Sequence, residues 1–345
     1  MGRRLLITGL SSYWGGRLAL AFERDPDIEV IVGMDSEDPV VPLERTEFVR
    51  CDDNYSILAR LVKATQVDTV IHAGLVVDSS LMPDRRIHEK NVIGTMNLLA
   101  AAGAEDGRVR NLVVKSSALV YGASGTDPTW FREDTRRSGP ARTRTERSLL
   151  EVESYLRGFA EENPAVAVCV LRCANVLGDG LATSLSRALS MPAVPSIVGF
   201  DPQLQFVEQE DVVRAIEFAI RGSLEGVYNV AGDGRLPWSE VRAIAGKRAL
   251  PLSPVLTGLS VAPLNRSRLL SLPPEVLDLL RFGRGIDNRK LKAAGFRYRY
   301  TTAGAVENFV EDTRLRRVVG ETRPTYRYEG DVEAFFRHSP AVVRY

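Results

Sequence analysis

The sequence predicts an α/β fold, a doubly wound parallel sheet with a smaller C-terminal substrate lobe. Three observations predict it. Residues 4–18, RLLITGLSSYWGGRL, form a short apolar run that breaks into a Gly/Ser-rich turn and leads into a helix. The next apolar run, residues 28–35, ends in an acid and completes a strand–helix–strand unit. Further apolar runs around Phe48, Val70, Val113 and Val166 alternate with helical segments, and that alternation requires a parallel sheet with right-handed crossovers. In such sheets a ligand binds beyond the carboxyl ends of the strands.

The first turn carries the functional reading. It aims backbone N–H groups and the positive end of a helix dipole at one point, which suits a pyrophosphate, so Gly9, Ser12, Tyr13, Trp14 and Gly15 are candidate cofactor-binding residues. Their spacing is that of T-G-x-x-G-x-x-G with the middle glycine replaced by Ser12. Ser12 adds a side chain where backbone should approach phosphate, and its hydroxyl can compensate by donating to that phosphate. An ordinary strand-to-helix turn would show the same pattern. Asp35 separates the two readings, because it lies about twenty residues past the turn, where a carboxylate accepts hydrogen bonds from the adenosine ribose and repels a 2′-phosphate. The expected cofactor is therefore NAD rather than NADP. A fourth strand, residues 68–74, ends in Ala73 and Gly74, small enough to let backbone approach a ligand. His72 within it reads as a packed core histidine.

Composition narrows the partners. With 345 residues, 44% hydrophobic and 26% charged, the chain can bury a full core and is long for one compact domain. Its 45 basic and 44 acidic residues leave a net charge of +1, with no electrostatic footprint for nucleic acid or an anionic membrane. Cys51, Cys169 and Cys173 lie in apolar contexts without C-x-x-C spacing, so neither a disulfide framework nor a metal site is expected. The start of the chain has no charged leader with an apolar signal core, and no apolar run reaches membrane-spanning length. A cytoplasmic protein is expected. After Gly178 the pattern loosens: prolines at 192, 195, 251 and 254 are expected to break regular elements, and residues 274–280 read as a helix.

From here the residues resemble the extended short-chain dehydrogenase/reductases, the family of NAD-dependent epimerases and dehydratases. Segments 70–74 (VIHAG), 91–99 (NVIGTMNLL), 112–122 (LVVKSSALVYG), 171–178 (LRCANVLG), 206–211 (FVEQED) and 227–230 (VYNV) follow its ordered blocks. Within the family the likeness is to an actinobacterial group labelled as possible UDP-glucose 4-epimerases. The resemblance implies a Rossmann domain over 1–178 with 206–231, and a substrate lobe from 179–205 and 232–345. It implies cofactor contacts from Asp52, Asp53, Ala73, Gly74, Asn91 and Ser116, a catalytic Ser117, and substrate contact from Ser117 and Asn175. It also implies a small-molecule substrate such as a nucleotide sugar, and a homodimer built from the helices around Met96 and residues 148–156.

The catalytic pattern departs from the family. A tyrosine there moves the hydroxyl proton, and a lysine four residues later holds the nicotinamide ribose and lowers the tyrosine pKa. Family register puts Thr143 and Arg147 at those positions, and no Tyr-x-x-x-Lys occurs in the chain. Threonine is far too weak an acid to replace a phenol. Arg147 can hydrogen-bond a ribose but cannot shuttle a proton. Leu204 stands where many epimerases carry a diphosphate-clamping arginine, and Glu208 replaces a histidine. Side chains alternate along a strand, so Lys115 and Ser117 share a face. Lys115 either reaches the cofactor site and supplies the missing ammonium, or pairs structurally with an acid such as Asp179 or Glu151. Tyr121 reads as structural, and Tyr155 lies three turns beyond Thr143. Two readings remain: an epimerase or oxidoreductase with an atypical site, and a catalytically inactive NAD-binding protein that regulates a partner.

Overall fold

The computed structural model describes residues 2–104, 107–255, 272–319, 335–336 and 339–343. Seven strands make one parallel sheet: β1 (Arg3–Thr8), β2 (Ile28–Asp35), β3 (Thr46–Arg50), β4 (Thr69–His72), β5 (Asn111–Ser117), β6 (Ala167–Cys173) and, after the ribbon strands β7 (Asn175–Leu177), β8 (Ala193–Ile197), β9 (Gln203–Leu204) and β10 (Phe206–Glu208), β11 (Gly226–Val230). Their spatial order is β11-β6-β5-β4-β1-β2-β3. The strands are near-continuous apolar runs, as in Leu5, Leu6 and Ile7, because helices cover both faces.

The order reverses between β1 and β4. Chains leaving these two strands diverge and open a crevice at their carboxyl ends. Gly9 (φ +76°) and Gly74 follow the two strands, and a Cβ on Gly9 would meet the Gly74 Cα at 2.3 Å, so backbone from both sides packs together at the floor of the crevice. His72 is buried between Thr8 (2.6 Å) and Thr95 (3.0 Å), and burial holds its imidazole down at about 4, hence neutral.

Three helical segments frame the crevice. Helix α1 (Tyr13–Glu23) starts at the first turn and α2 (Tyr55–Thr65) connects β3 to β4. Then α3 (Asp84–His88), a π-helical turn over Glu89–Ile93 and α4 (Gly94–Ala102) run as one interrupted helix beside α5 (Arg144–Glu162). No helix among the described residues is long and apolar enough to cross a membrane.

A second core lies beyond β6, built on Leu177, Leu189, Val194, Leu204, Phe206, Trp238, Leu279 and Val306. It gathers α6 (Ser184–Ser190), strand β12 (Leu236–Pro237), α8 (Trp238–Ile244), strand β13 (Arg248–Leu252) and the helices Pro274–Phe282 and Thr302–Val319, while α7 (Gln209–Arg221) belongs to the sheet's core through Val212, Ala215, Ile216 and Ile220. Strands pair here as ribbons, β7 with β10, β9 with β12 and β8 with β13. Pro195 and Pro251, expected to break regular structure, sit inside the parallel β8–β13 ribbon instead. A two-stranded ribbon leaves half its N–H positions facing outward, where proline costs no ladder bond.

Candidate active site

A cavity of about 270 Å³ occupies the crevice between the sheet and this second core. The first turn supplies Ser12, Tyr13 and Trp14, and the chain just after β4 Ala73 and Gly74; β5 supplies Lys115 and Ser117; the end of β6 supplies Cys173 and β7 Asn175; and the helix Pro274–Phe282 with Arg284 closes the far side. The loop after Gly74 ties the two halves together. Asp78 accepts from Ser184 N (2.5 Å) and Oγ (2.9 Å), and Ser79 Oγ donates to Glu275 (2.5 Å).

At the first turn, Ser12 is the N-cap of α1: its hydroxyl donates to Gly9 O (2.5 Å) and accepts from Gly15 N (3.2 Å). That hydroxyl is spent within the turn, a correction to the expectation that it serves a phosphate. The N–H groups of Tyr13 and Trp14, first in the helix, have no intrahelical acceptor and carry the positive dipole end. A Cβ on Gly15 would meet Gly9 O at 2.2 Å, so glycine is required for the tight turn. Asp35 is buried at the end of β2, accepting from Ser11 N (3.1 Å) and the Ser11 hydroxyl, with Lys90 Nζ at 3.6 Å. Glycine-lined backbone, a helix N-terminus and a strand-end carboxylate surrounded by exchangeable donors fit a dinucleotide. Asp52 is exposed, and Asp53 is half-buried against Gly94, its carboxyl pushed up to about 6 by burial.

On β5 the alternation separates neighbours. Ser116 points away from the cavity and donates to Glu153 (2.8 Å), which is clamped by Arg172 (2.5 Å). Ser117 faces the cavity and accepts from Leu119 N (3.2 Å), which leaves its hydroxyl hydrogen free to donate. Lys115 faces it too, 2% exposed, with its Nζ 4.7 Å from the centroid of the Trp14 ring. It pairs with neither Asp179 nor Glu151; Glu151 lies near His88, 3.9 Å away. Among the described residues no carboxylate comes within ion-pair distance of Lys115. Burial lowers its pKa, and the facing Cys173 thiol, pushed up to about 11 by its own burial, stays neutral.

Other predicted site residues lie elsewhere. Thr143 is the N-cap of α5, accepting from Glu146 N (3.2 Å) in a capping box, and it does not line the cavity. Arg147 is exposed on the outer face of the same helix. Asn91 is buried in the π-helical turn, bonded to Val76 N and O (both 2.8 Å) and Ser148 (3.0 Å), so it fixes the cavity loop from behind. Asn175 lines the cavity while donating to Gln205 O (2.9 Å). Among the described residues Tyr13 is the one tyrosine that lines the cavity. Tyr121 is bonded to Asn229 and Arg172 (both 2.8 Å) away from the cavity, and Tyr155 is 42% exposed. Tyr13 lines the cavity, but its oxygen is buried without a hydrogen-bond partner and burial pushes it up to about 12. Trp14 and Arg284 are the groups whose place beside Lys115 and Ser117 sequence reasoning did not foresee.

Comparison with known proteins agrees with this architecture. The model of the NAD dependent epimerase/dehydratase family matches residues 5–231. An uncharacterized protein of Mycobacterium tuberculosis is 31% identical over 332 residues, covering 92% of this chain and 86% of its own length. The UDP-glucose 4-epimerase of Erwinia amylovora is 29% identical over 185 residues, 50% of this chain and 53% of its own. The UDP-glucose 4-epimerase of Thermotoga maritima, solved with UDP-glucose, superposes with a TM-score of 0.69 at 19% identity, covering 91% of this chain and 99% of that one. That of Thermus thermophilus, solved with NAD, gives 0.68 at 21% identity, covering 90% and 99%. By the match over residues 5–231 and the strand order that accompanies it, the chain belongs to the NAD-dependent epimerase/dehydratase family.

Proposed function

We propose that the chain is an NAD-dependent sugar-nucleotide epimerase or oxidoreductase in which Lys115 and Ser117 do the work the family assigns to its tyrosine and serine. One observation carries this: a buried lysine that has no counter-ion among the described residues lines the cavity near the carboxyl end of β5. NAD would lie along the first turn, held by the N–H groups of Tyr13 and Trp14 and by Asp35. When bound it supplies a hydride acceptor. Ser117 donates its free hydroxyl hydrogen to the reacting oxygen and orients it. Lys115, in its neutral form, takes the hydroxyl proton. Desolvation favours that neutral form, and a lysine tuned this way is a competent general base.

The substrate lobe, residues 179–205 and 232–345, supports the same reading by closing the cavity over β5 through Glu275, Val276 and Leu279. A homodimer fits the exposed face shared by α4 and α5, where Met96 and Tyr155 are each 42% exposed. A cytoplasmic location and a nucleotide-sugar substrate belong to the same proposal.

The test is single-turnover reduction of bound NAD, read at 340 nm, across a panel of nucleotide sugars. At least one sugar is expected to reduce it, and Lys115→Met to abolish that. UDP-glucose and UDP-galactose are expected to interconvert slowly or not at all, since neither a tyrosine at 143 nor an arginine at 204 is present. A protein that binds no NAD, or a Lys115→Met variant as active as the parent, would overturn the proposal.

A further inference from the structure

Lys115 differs from the other five lysines of the chain in its surroundings. Lys63, Lys290 and Lys292 are exposed, and Lys90 and Lys247 are half-buried. Three of these have acceptors for an ammonium proton: Lys90 faces Asp35 at 3.6 Å, Lys290 Nζ donates to Val227 O at 2.6 Å and Lys292 Nζ to Asp233 at 2.9 Å. Lys115 is the one buried lysine, and among the described residues its Nζ has the Trp14 ring beside it but no hydrogen bond or ion pair. The sheet fixes its place. β5 runs between β4 and β6, with Lys115 opposite Leu171 and Ser117 opposite Cys173, and Lys115, Ser117 and Cys173 all line the cavity.

A neutral amine can do more than take up a proton, because its lone pair also attacks an electrophilic carbon. An ammonium cannot. A nucleophilic lysine therefore needs surroundings that favour the neutral form, room for the electrophile, and a donor for the oxygen that receives the electrons. All three meet at β5. The lining acids do not hold the ammonium, since Asp78 accepts from Ser184 Oγ at 2.9 Å and Glu275 from Ser79 Oγ at 2.5 Å. Burial lowers the pKa of the amine. A cavity of about 270 Å³ holds a small molecule, and the Ser117 hydroxyl hydrogen is free to meet its oxygen. The Cys173 thiol, a rival for the same carbon if ionised, donates to Leu171 O at 3.7 Å and stays neutral.

We propose that Lys115 is a carbonyl-capturing nucleophile, and that this cavity accepts small aldehydes and ketones that condense with its Nζ to an imine. The Nζ lone pair forms the C–N bond, and the C=O π pair moves to the oxygen, which takes up a proton while Ser117 donates to it. The carbinolamine then loses that oxygen as water, which carries off both hydrogens of the amine and leaves C=N. Nothing is oxidised or reduced, and hydrolysis reverses the step. No cofactor takes part, so the inference goes beyond the hydride chemistry proposed above and is decided separately from it.

The test treats the full chain, without NAD, with propanal or acetone and cyanoborohydride at pH 7, which reduces an imine to a stable secondary amine. Labelled lysines are mapped and their rates followed by mass spectrometry, in the folded chain and in guanidinium chloride. A lysine that is buried and inert is protected by folding and labels more slowly than in the denatured chain. Lys115 should do the reverse and label about tenfold faster or more when folded, the effect of a pKa lowered by one unit or more. It should also outpace the other five lysines. In the denatured chain its rate should rise about tenfold per pH unit from pH 7 to 9, as for an amine with a pKa of about 10.4, and in the folded chain less steeply. A Lys115 that folding protects, or one that labels no faster than the exposed lysines, would overturn the assignment.

Discussion

Lys115→Met separates stability from chemistry, because the two should move in opposite directions. Methionine keeps most of the side-chain length and its packing on Trp14 while removing the charge. A buried polar group without a hydrogen-bonded partner costs about 1–3 kcal/mol, and the lost cation–π contact offsets roughly half to two of these. The net expectation is a gain of about 1 kcal/mol, roughly 1–2 °C in Tm for a chain of this length. The pH dependence has a definite sign. Burial holds the folded amine below its ordinary 10.5, so the unfolded chain binds more protons between the folded value and 10.5. Stability therefore rises with pH through that window, and the penalty is fully present below it. Methionine should remove this slope, which a melting series from neutral to alkaline pH would read. Catalysis should fall about 10²- to 10⁴-fold, the usual contribution of a positioned proton-transfer group. A variant that melts lower with the slope intact, or turns over unimpaired, refutes the reasoning.

Three further outcomes follow from the same geometry. Asp35→Ala should narrow the preference for NAD over NADP tenfold or more by calorimetry, since it removes a carboxylate and frees Lys90, 3.6 Å away, to meet a 2′-phosphate; equal affinities in the parent protein would count against the role of Asp35. Thr143→Tyr with Arg147→Lys should gain no turnover, because Arg147 is exposed, and should lose about 1 kcal/mol with the α5 cap, read as a lower Tm. Tyr155→Glu should halve the mass seen by light scattering at micromolar concentration, and a parent protein that is already monomeric would dispose of the dimer.

The architecture was legible because its signals are periodic. Apolar runs, the turn and Asp35 placed the first β-strands, and alternation along β5 put Lys115 and Ser117 on one face and Ser116 on the other. What was not legible depends on single-residue geometry. Thr143 and Arg147 were set by register, yet Thr143 stands one residue before the helix and caps it, which turns Arg147 outward. Asn91 lies in a π-helical turn, and the added residue rotates it toward Val76 and Ser148. Ser12 was read for its hydroxyl, which the N-cap consumes. Arg284 belongs to no motif, and its place comes from a β-bridge some eighty residues back in the chain.

Trp14 explains how Lys115 can be buried and still titrate. A carboxylate in its place would hold the ammonium charged and useless as a base, whereas a wholly apolar wall would make protonation too costly for the amine to take the proton up. The indole face lies between these limits, since its quadrupole attracts the ammonium without contributing a charge. Trp14→Leu should therefore lower the Lys115 pKa further. The base then stays neutral to lower pH, so the acid limb of the pH–rate profile should move down by about one pH unit, the equivalent of a partly buried cation–π contact. Trp14→Phe, which keeps a weaker π face, should move it less. Calorimetric titration with NADH reports whether the site still loads in the Leu and Phe variants, since both lack the Trp14 indole. An acid limb that stays in place while loading is intact would show that the indole does not tune the lysine.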